Sequence, residues 1–281
     1  MATDSNNVVR SGGERLSLEG MALGALFGLV GIIGVIYGAR EWAPEVASQH
    51  GVGIDSMLDY LLIATGSLFL IGHLVLAVFI WQGSRRDRVA TRLSPSRTER
   101  VVSVSLGLLM ALIAEGGVLA IGLPVWDEYF MADPPADAVL VEVTGKQFTW
   151  VSRYPGPDDE FGRTLADLID DATNPIGLDE TDPAAADDIV ITGEIHAPVD
   201  RPLRIRLRSR DVIHSLFVPN LRVKQDAIPG LTPEVVVTPT REGVFEVACA
   251  ELCGLGHYRM QSYFHVVSND EFERWLTEQG R

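Results

Sequence analysis

Three long apolar runs dominate the first 130 residues: 20–39 (GMALGALFGLVGIIGVIYGA), 58–81 (LDYLLIATGSLFLIGHLVLAVFIW) and 101–125 (VVSVSLGLLMALIAEGGVLAIGLPV). Roughly 20 apolar residues in helical form cross about 30 Å of hydrocarbon, so each run is long enough to span a membrane. The segment between the last two runs carries Arg85, Arg86, Arg88, Arg92, Arg97 and Arg100, whereas the segment between the first two carries Glu41, Glu45 and Asp55 with only Arg40 at its edge. By the positive-inside bias the arginine-rich segment is cytoplasmic, and everything after residue 125 lies outside the cytoplasm. The first run also reads as a cleaved signal peptide, but its apolar core is long for that role, and a retained helix is expected. His73 and Glu115 are isolated polar residues within the runs. Such groups are costly in lipid unless they face protein, so both are expected to pack against a neighbouring subunit.

The chain changes character after residue 130, which divides it into a membrane region (1–130) and a polar, acidic region (131–281). From residue 138 onward AVLVEVTGKQFTWV, DIVITGEIHAPV, LRIRLRSRDVIHSLFV, EVVVTPT, GVFEVAC and RMQSYFHVV read as strands bounded by Pro, Gly and Asp. Short strands separated by turns predict an antiparallel sandwich or barrel. SNDEFERWLTEQ (268–279) predicts a short terminal helix capped by Ser268 or Asn269. An acidic insertion at 155–188, with eleven acids and Arg163, reads as a solvated surface loop in which LADLIDDA could form a helical turn or two.

The chain holds 38 acidic and 23 basic residues, for a net charge of −15. That excludes nucleic acid as a partner, because the phosphate backbone would be repelled. Only Lys146 and Lys224 are lysines. An acidic, lysine-poor surface resembles that of proteins from salt-loving organisms, and a haloarchaeal source is the expectation.

Both cysteines fall in CAELCGLGHYRM (249–260), followed by a histidine and a methionine. A disulfide between Cys249 and Cys253 would close almost no loop and leave His257 and Met260 without a role. Zinc favours Cys and His and has no use for a thioether, whereas thiolate, thioether and imidazole together suit copper. A mononuclear blue-copper site needs one Cys, two His and a weak Met. The second thiolate here is one too many for that site and fits two metals sharing bridging sulfurs. His214, at the end of a strand in DVIHSLFVPNLRVKQDAIPG, is the best second imidazole, since a strand end and a later loop meet at one pole of a small sandwich. His50, His196 and His265 read as surface or packing histidines.

DVIHSLFVPNLRVKQDAIPG followed by CAELCGLGHYRM resembles the signature of subunit II of the heme–copper cytochrome c oxidases, over about residues 58–268. The resemblance implies a cupredoxin-like Greek-key sandwich outside the membrane carrying the binuclear copper centre CuA. It further implies that Cys249 and Cys253 bridge the two copper ions, that His257 and the Glu251 carbonyl complete one, and that His214 and Met260 complete the other. The Glu251 side chain would reach a magnesium ion at the boundary with subunit I. The implied partners are oxidase subunits I and III, with cytochrome c or a blue-copper protein as electron donor. The implied activity is that of an electron-accepting subunit of an oxidoreductase that reduces dioxygen. Members that use cytochrome c commonly show a Trp in a Q-W-x-W stretch where the electron enters. This chain reads GKQFTW, with Phe148 at that position and Trp150 kept; a buried aromatic cluster accounts for Trp150 equally well. Glu99 resembles an acidic residue that opens a proton path into subunit I, although a carboxylate at a helix start is also expected from the helix dipole alone.

Three other readings stand against this one. A nitrous oxide reductase needs a large histidine-rich domain that six histidines cannot supply. A quinol-oxidising relative lacks the copper ligands. A copper carrier or tethered electron-transfer protein outside an oxidase has no need of the Glu251 arrangement or the DAIPG loop.

Overall fold

The computed structural model describes residues 43–84, 94–131 and 133–280, and before them positions 29, 32, 33, 36, 37 and 40. The chain divides into two units, Met1–Glu45 and Val46–Arg281. In the first unit the six positions are helical and exposed. The rest of the 20–39 run lies outside the described residues, as do Arg85, Arg86, Arg88, Arg92 and the side chain of His73.

The second unit begins with two long helices, α1 (Gln49–Ser84) and α2 (Arg97–Trp126). Among the described residues, Gln49–Gly72 and Arg97–Met131 are the helices long and apolar enough to cross a membrane. Helix α1 as a whole covers the apolar run at 58–81, of which the first span takes in 58–72, and the second span covers 101–125. The two pack closely because Gly117 faces Tyr60: a Cβ there would lie 2.0 Å from the ring. The Tyr60 hydroxyl donates to the Ile113 carbonyl. At the start of α2, Ser96 Oγ accepts from the Glu99 amide and the Glu99 carboxylate accepts from the Ser96 amide, a closed capping box. Glu99 therefore has a structural use at the helix start, and Glu115 sits exposed on the helix surface.

The start of α1 is fastened to the sandwich. Ala47 N–H donates to Asn220 O at 2.7 Å and Ser48 Oγ to Leu221 O at 2.7 Å. Arg222 grips Asp55 with two hydrogen bonds of 2.7 and 2.8 Å, and His50 stacks on Tyr129 with ring centroids 4.6 Å apart.

The remainder is a β-sandwich with a short terminal helix. Its strands are β1 (Val139–Lys146), β2 (Thr149–Tyr154), β3 (Ile189–Thr192), β4 (Glu194–Pro198), β5 (Leu203–Ser209), β6 (His214–Val218), β7 (Val223–Ala227), β8 (Glu234–Val237), β9 (Gly243–Cys249) and β10 (Gln261–Val267). One sheet has the order β3-β2-β1-β5-β8 and the other β4-β10-β9-β6-β7. The architecture is the cupredoxin-like sandwich expected. Its pairing is mixed rather than purely antiparallel, because β1 with β5 and β4 with β10 run parallel.

Three stretches that read as single strands are each two. AVLVEVTGKQFTWV turns back on itself at Gln147–Phe148 to make β1 and β2. DIVITGEIHAPV changes sheet at Gly193, whose φ of +88° suits only a residue without Cβ. LRIRLRSRDVIHSLFV changes sheet between Ser209 and His214. Alternation sorts the faces: in β5, Leu203, Ile205 and Leu207 are fully buried while Arg204, Arg206 and Arg208 face outward. Helix α3 (Asn269–Gln279) is capped by Ser268, whose Oγ accepts from the Glu271 amide, and buries Phe272.

Residues 155–188 lie over the outer face of the first sheet. Arg153, itself buried, reaches Glu142 at 2.8 Å and Asp188 at 3.3 Å, and donates to Gly162 O at 2.7 Å. Asp179 accepts from Arg163 and Thr181, both at 2.6 Å. Only Ala166–Leu168 of the LADLIDDA stretch is helical, as one 3-10 turn. The insertion is thus folded on its own carboxylates rather than merely solvated.

Candidate metal centre

His214 is the first residue of β6 and Cys249 the last of β9, and the pairing of Leu216 with Cys249 sets the two strand ends side by side. The loop from 250 to 260 is then folded back over them. Ala250 N–H donates to Ser215 O at 2.9 Å, Cys249 N–H to Met260 O at 3.2 Å, and a 3-10 turn at His257–Arg259 brings Met260 inward. Met260, His214 and both cysteines are buried.

Around Cys249 Sγ, His214 Nδ1 stands at 3.9 Å, Cys253 Sγ at 3.9 Å and the Glu251 carbonyl oxygen at 3.2 Å. Around Cys253 Sγ, His257 Nδ1 stands at 3.6 Å and Met260 Sδ at 3.7 Å. A disulfide needs its sulfurs about 2.05 Å apart, so these are two free thiols. Two sulfurs each bonded at about 2.3 Å to one ion stand roughly 3.5–4.6 Å apart, so the observed spacing allows both to bind the same ion. His214, Cys249 and Cys253 offer ligand atoms within 4.8 Å of one another. Two thiolates, two imidazoles and a buried thioether fit a soft ion such as copper.

The electrostatics favour one ready thiolate. Burial works against ionisation of Cys249. Hydrogen bonds with the His214 ring and with backbone at Ser215 and Glu251 outweigh it and bring the thiol to about 6. Burial, followed by the adjoining Cys249 charge, pushes Cys253 up to about 11. A cation between them removes that conflict.

The site is braced by two residues that the motif did not single out. Asp211 Oδ1 lies 2.7 Å from His214 Nε2, which fixes the ring and leaves Nδ1 facing Cys249. The other Asp211 oxygen accepts from Gln147 N–H at 2.8 Å, and Gln147 Nε2 donates to Cys253 O at 2.5 Å. The D-x-x-H spacing was the signal available for Asp211, whereas Gln147 is 106 residues from Cys253 and had none.

Phe148 is half-buried, and its ring lies against Gly254 and Gly256: a Cβ on Gly256 would come within 2.4 Å of it. Trp150 is buried and meets His214 edge-on with centroids 5.9 Å apart. Glu251 is exposed. Leu252, Leu255 and Tyr258 are 85%, 97% and 84% exposed, which gives the copper-type loop an apolar outer rim.

The family model for the periplasmic domain of cytochrome c oxidase subunit II matches residues 139–267. The alternative cytochrome c oxidase subunit 2 of Bradyrhizobium diazoefficiens is 32% identical over 262 residues, covering 92% of each chain. Cytochrome c oxidase subunit 2 of Cereibacter sphaeroides is 28% identical over 257 residues, covering 87% of this chain and 80% of that one. The crystal structure of the periplasmic domain of subunit II of cytochrome oxidase from Bradyrhizobium japonicum is 29% identical, covers 52% of this chain and 96% of that chain, and has a TM-score of 0.38. With a relative matched at 32% identity along 92% of both chains, this chain belongs to the cytochrome c oxidase subunit II family.

Proposed function

We propose that this chain is the electron-accepting subunit of a membrane-bound heme–copper oxidase, with a binuclear copper centre held by His214, Cys249, Cys253, His257, Met260 and the Glu251 carbonyl. The observation that carries this reading is the buried convergence of two free thiols, 3.9 Å apart, with a thioether and two imidazoles. Such a pair of ions, when bound, takes up and releases one electron at a time. The protein's part is to limit the movement of the ligands between the two redox states. Asp211 holds the His214 ring, Gln147 holds the Cys253 carbonyl, and β6 and β9 hold the ends of the loop.

Partnership with the heme-bearing subunit I follows from the family. The arginine-rich segment at 85–100 sits in the cytoplasm and the sandwich outside it; protease added to right-side-out vesicles removes the sandwich, and protection of it would reverse the topology. The exposed Glu251 carboxylate, on the ligand loop itself, faces subunit I and can share a magnesium ion there. Electrons arrive near Phe148 and Trp150 from cytochrome c or a blue-copper protein. The apolar rim of Leu252, Leu255 and Tyr258 suits short-range contact with either donor. Stopped-flow reduction at low and high salt, with Phe148→Ala alongside, identifies the donor; equal rates in the variant would remove Phe148 from the route.

The reading as a whole is tested by purifying the tagged chain from its own membranes in mild detergent. A heme-containing partner and dioxygen consumption are expected to come with it. Recovery of the chain with copper but no heme partner would favour a copper carrier and overturn the oxidase reading.

A further inference from the structure

Strands β4 and β10 pair in parallel with His196 opposite His265, so both imidazoles stand on the same outer face of the second sheet. Glu194, two residues along β4, shares that face. Its carboxylate oxygen lies 3.0 Å from His196 Nε2, and one ligand atom from each of the three residues lies within 4.8 Å of the others. The copper-type loop starts after Cys249, whereas His265 pairs with Val244, five residues back along β9. At about 3.3 Å per residue that is roughly 16 Å of strand.

Two features set this cluster apart from ordinary packing. His265 Nε2 is buried and has no hydrogen-bond partner. A buried ring nitrogen of this kind is free to take a ligand. His196 is stacked against Trp275 of α3 at 4.1 Å on one side and against His265 at 4.5 Å on the other, which fixes its ring. Burial, only partly offset by the hydrogen bond with Glu194, lowers the proton affinity of His196 and keeps it neutral, as a metal ligand must be.

We propose that Glu194, His196 and His265 form a second metal site, for a single borderline divalent ion of the zinc type, on the outer face of β4 and β10. Two imidazoles and a carboxylate are a donor set such ions accept, with a fourth position left to water. The stack determines how the ion is taken. Rings only 6° from parallel do not aim their lone pairs at one point. The clamped His196 and the exposed Glu194 receive the ion first, and the half-buried His265 turns to complete the set.

The test uses the full chain in detergent with copper already in the Cys–His loop. Zn2+ is added at micromolar concentration, unbound metal is removed, and zinc and copper per chain are counted. The expected result is one zinc per chain beyond the copper content. Glu194→Gln and His265→Gln should each weaken zinc binding at least tenfold while copper content and the copper absorption stay unchanged. Glu194 is exposed, so its variant does not disturb the fold. No retained zinc, or zinc retained equally by either variant, would overturn the proposal. Because copper is read separately in the same sample, failure here leaves the oxidase reading untouched.

Discussion

Two connections in the same sandwich, residues 250–260 and residues 155–188, are ordered by opposite means. The insertion answers its charges with partners of its own and with basic residues of the sheet and loops beneath it. Asp170 accepts from the Ala172 and Thr173 amides, Asp182 from Ala184, Asp179 from Arg163 and Thr181, and Asp188 from the buried Arg153. The loop 250–260 and the strand ends beneath it gather soft donors instead: two thiols whose ionisations compete, imidazole nitrogens turned toward them, and a thioether. The first is held by hydrogen bonds and ion pairs to its carboxylates, whereas the second sets thiols, imidazoles and a thioether in an arrangement that suits a metal ion. Their surfaces differ in the same way, carboxylates on one and an apolar rim on the other.

The largest effect is expected at Cys249. Cys249→Ser removes the thiolate that both sides of the cluster share, so the signal of two coupled coppers should vanish while the insertion and the sandwich persist. Paramagnetic resonance and circular dichroism read the two halves of that statement, and a surviving coupled signal would show the bridging assignment to be wrong. The insertion has its own weak point. Arg153→Met leaves Asp188 buried without its cation and Glu142 with only the 3.4 Å contact to Arg208, a loss of about 3–5 kcal/mol. Denaturant unfolding of the full chain should show that loss; a change below about 1 kcal/mol would mean that water reaches those carboxylates.

The alternating faces of β5, the capped helix α3 and the apolar runs were legible in the sequence because each depends on near neighbours. The sheet changes at Gly193 and between Ser209 and His214 were not legible, since a strand pattern continues straight across a corner. Strand β7 was hidden within the DVIHSLFVPNLRVKQDAIPG signature. The order of the insertion was invisible for a related reason: its acids read as solvated until Arg153, Arg163 and Thr181 are seen to meet them. At the site the clustering of His214 with the 249–260 stretch was legible in the sequence, whereas Gln147 comes from a distant hairpin.

Smaller changes sharpen the contrast. Gly256→Ala places a methyl within 2.4 Å of the Phe148 ring. Overpacking of this kind costs about 1–3 kcal/mol. Phe148→Ala in the same chain should restore most of it, and a double variant no more stable than the single would mean that the loop shape does not rest on that ring. The smallest effect belongs to Asp179, which Thr181, and then Arg163, hold down to about 2 from an ordinary 3.8. A depressed carboxylate contributes stability above its unfolded value and loses it as the pH falls through the folded one. Unfolding free energy should therefore decline between about pH 4 and 2, and less steeply in Asp179→Asn. Identical slopes would remove Asp179 from the account.

The central claim is that Cys249 and Cys253 share two copper ions. Its most direct test is the paramagnetic resonance spectrum of the full chain in detergent, loaded with copper and oxidised, alongside the copper-to-protein ratio. One electron shared equally between two copper nuclei gives seven hyperfine lines and a ratio of two. Four lines with one copper per chain would mean a mononuclear site and contradict the account.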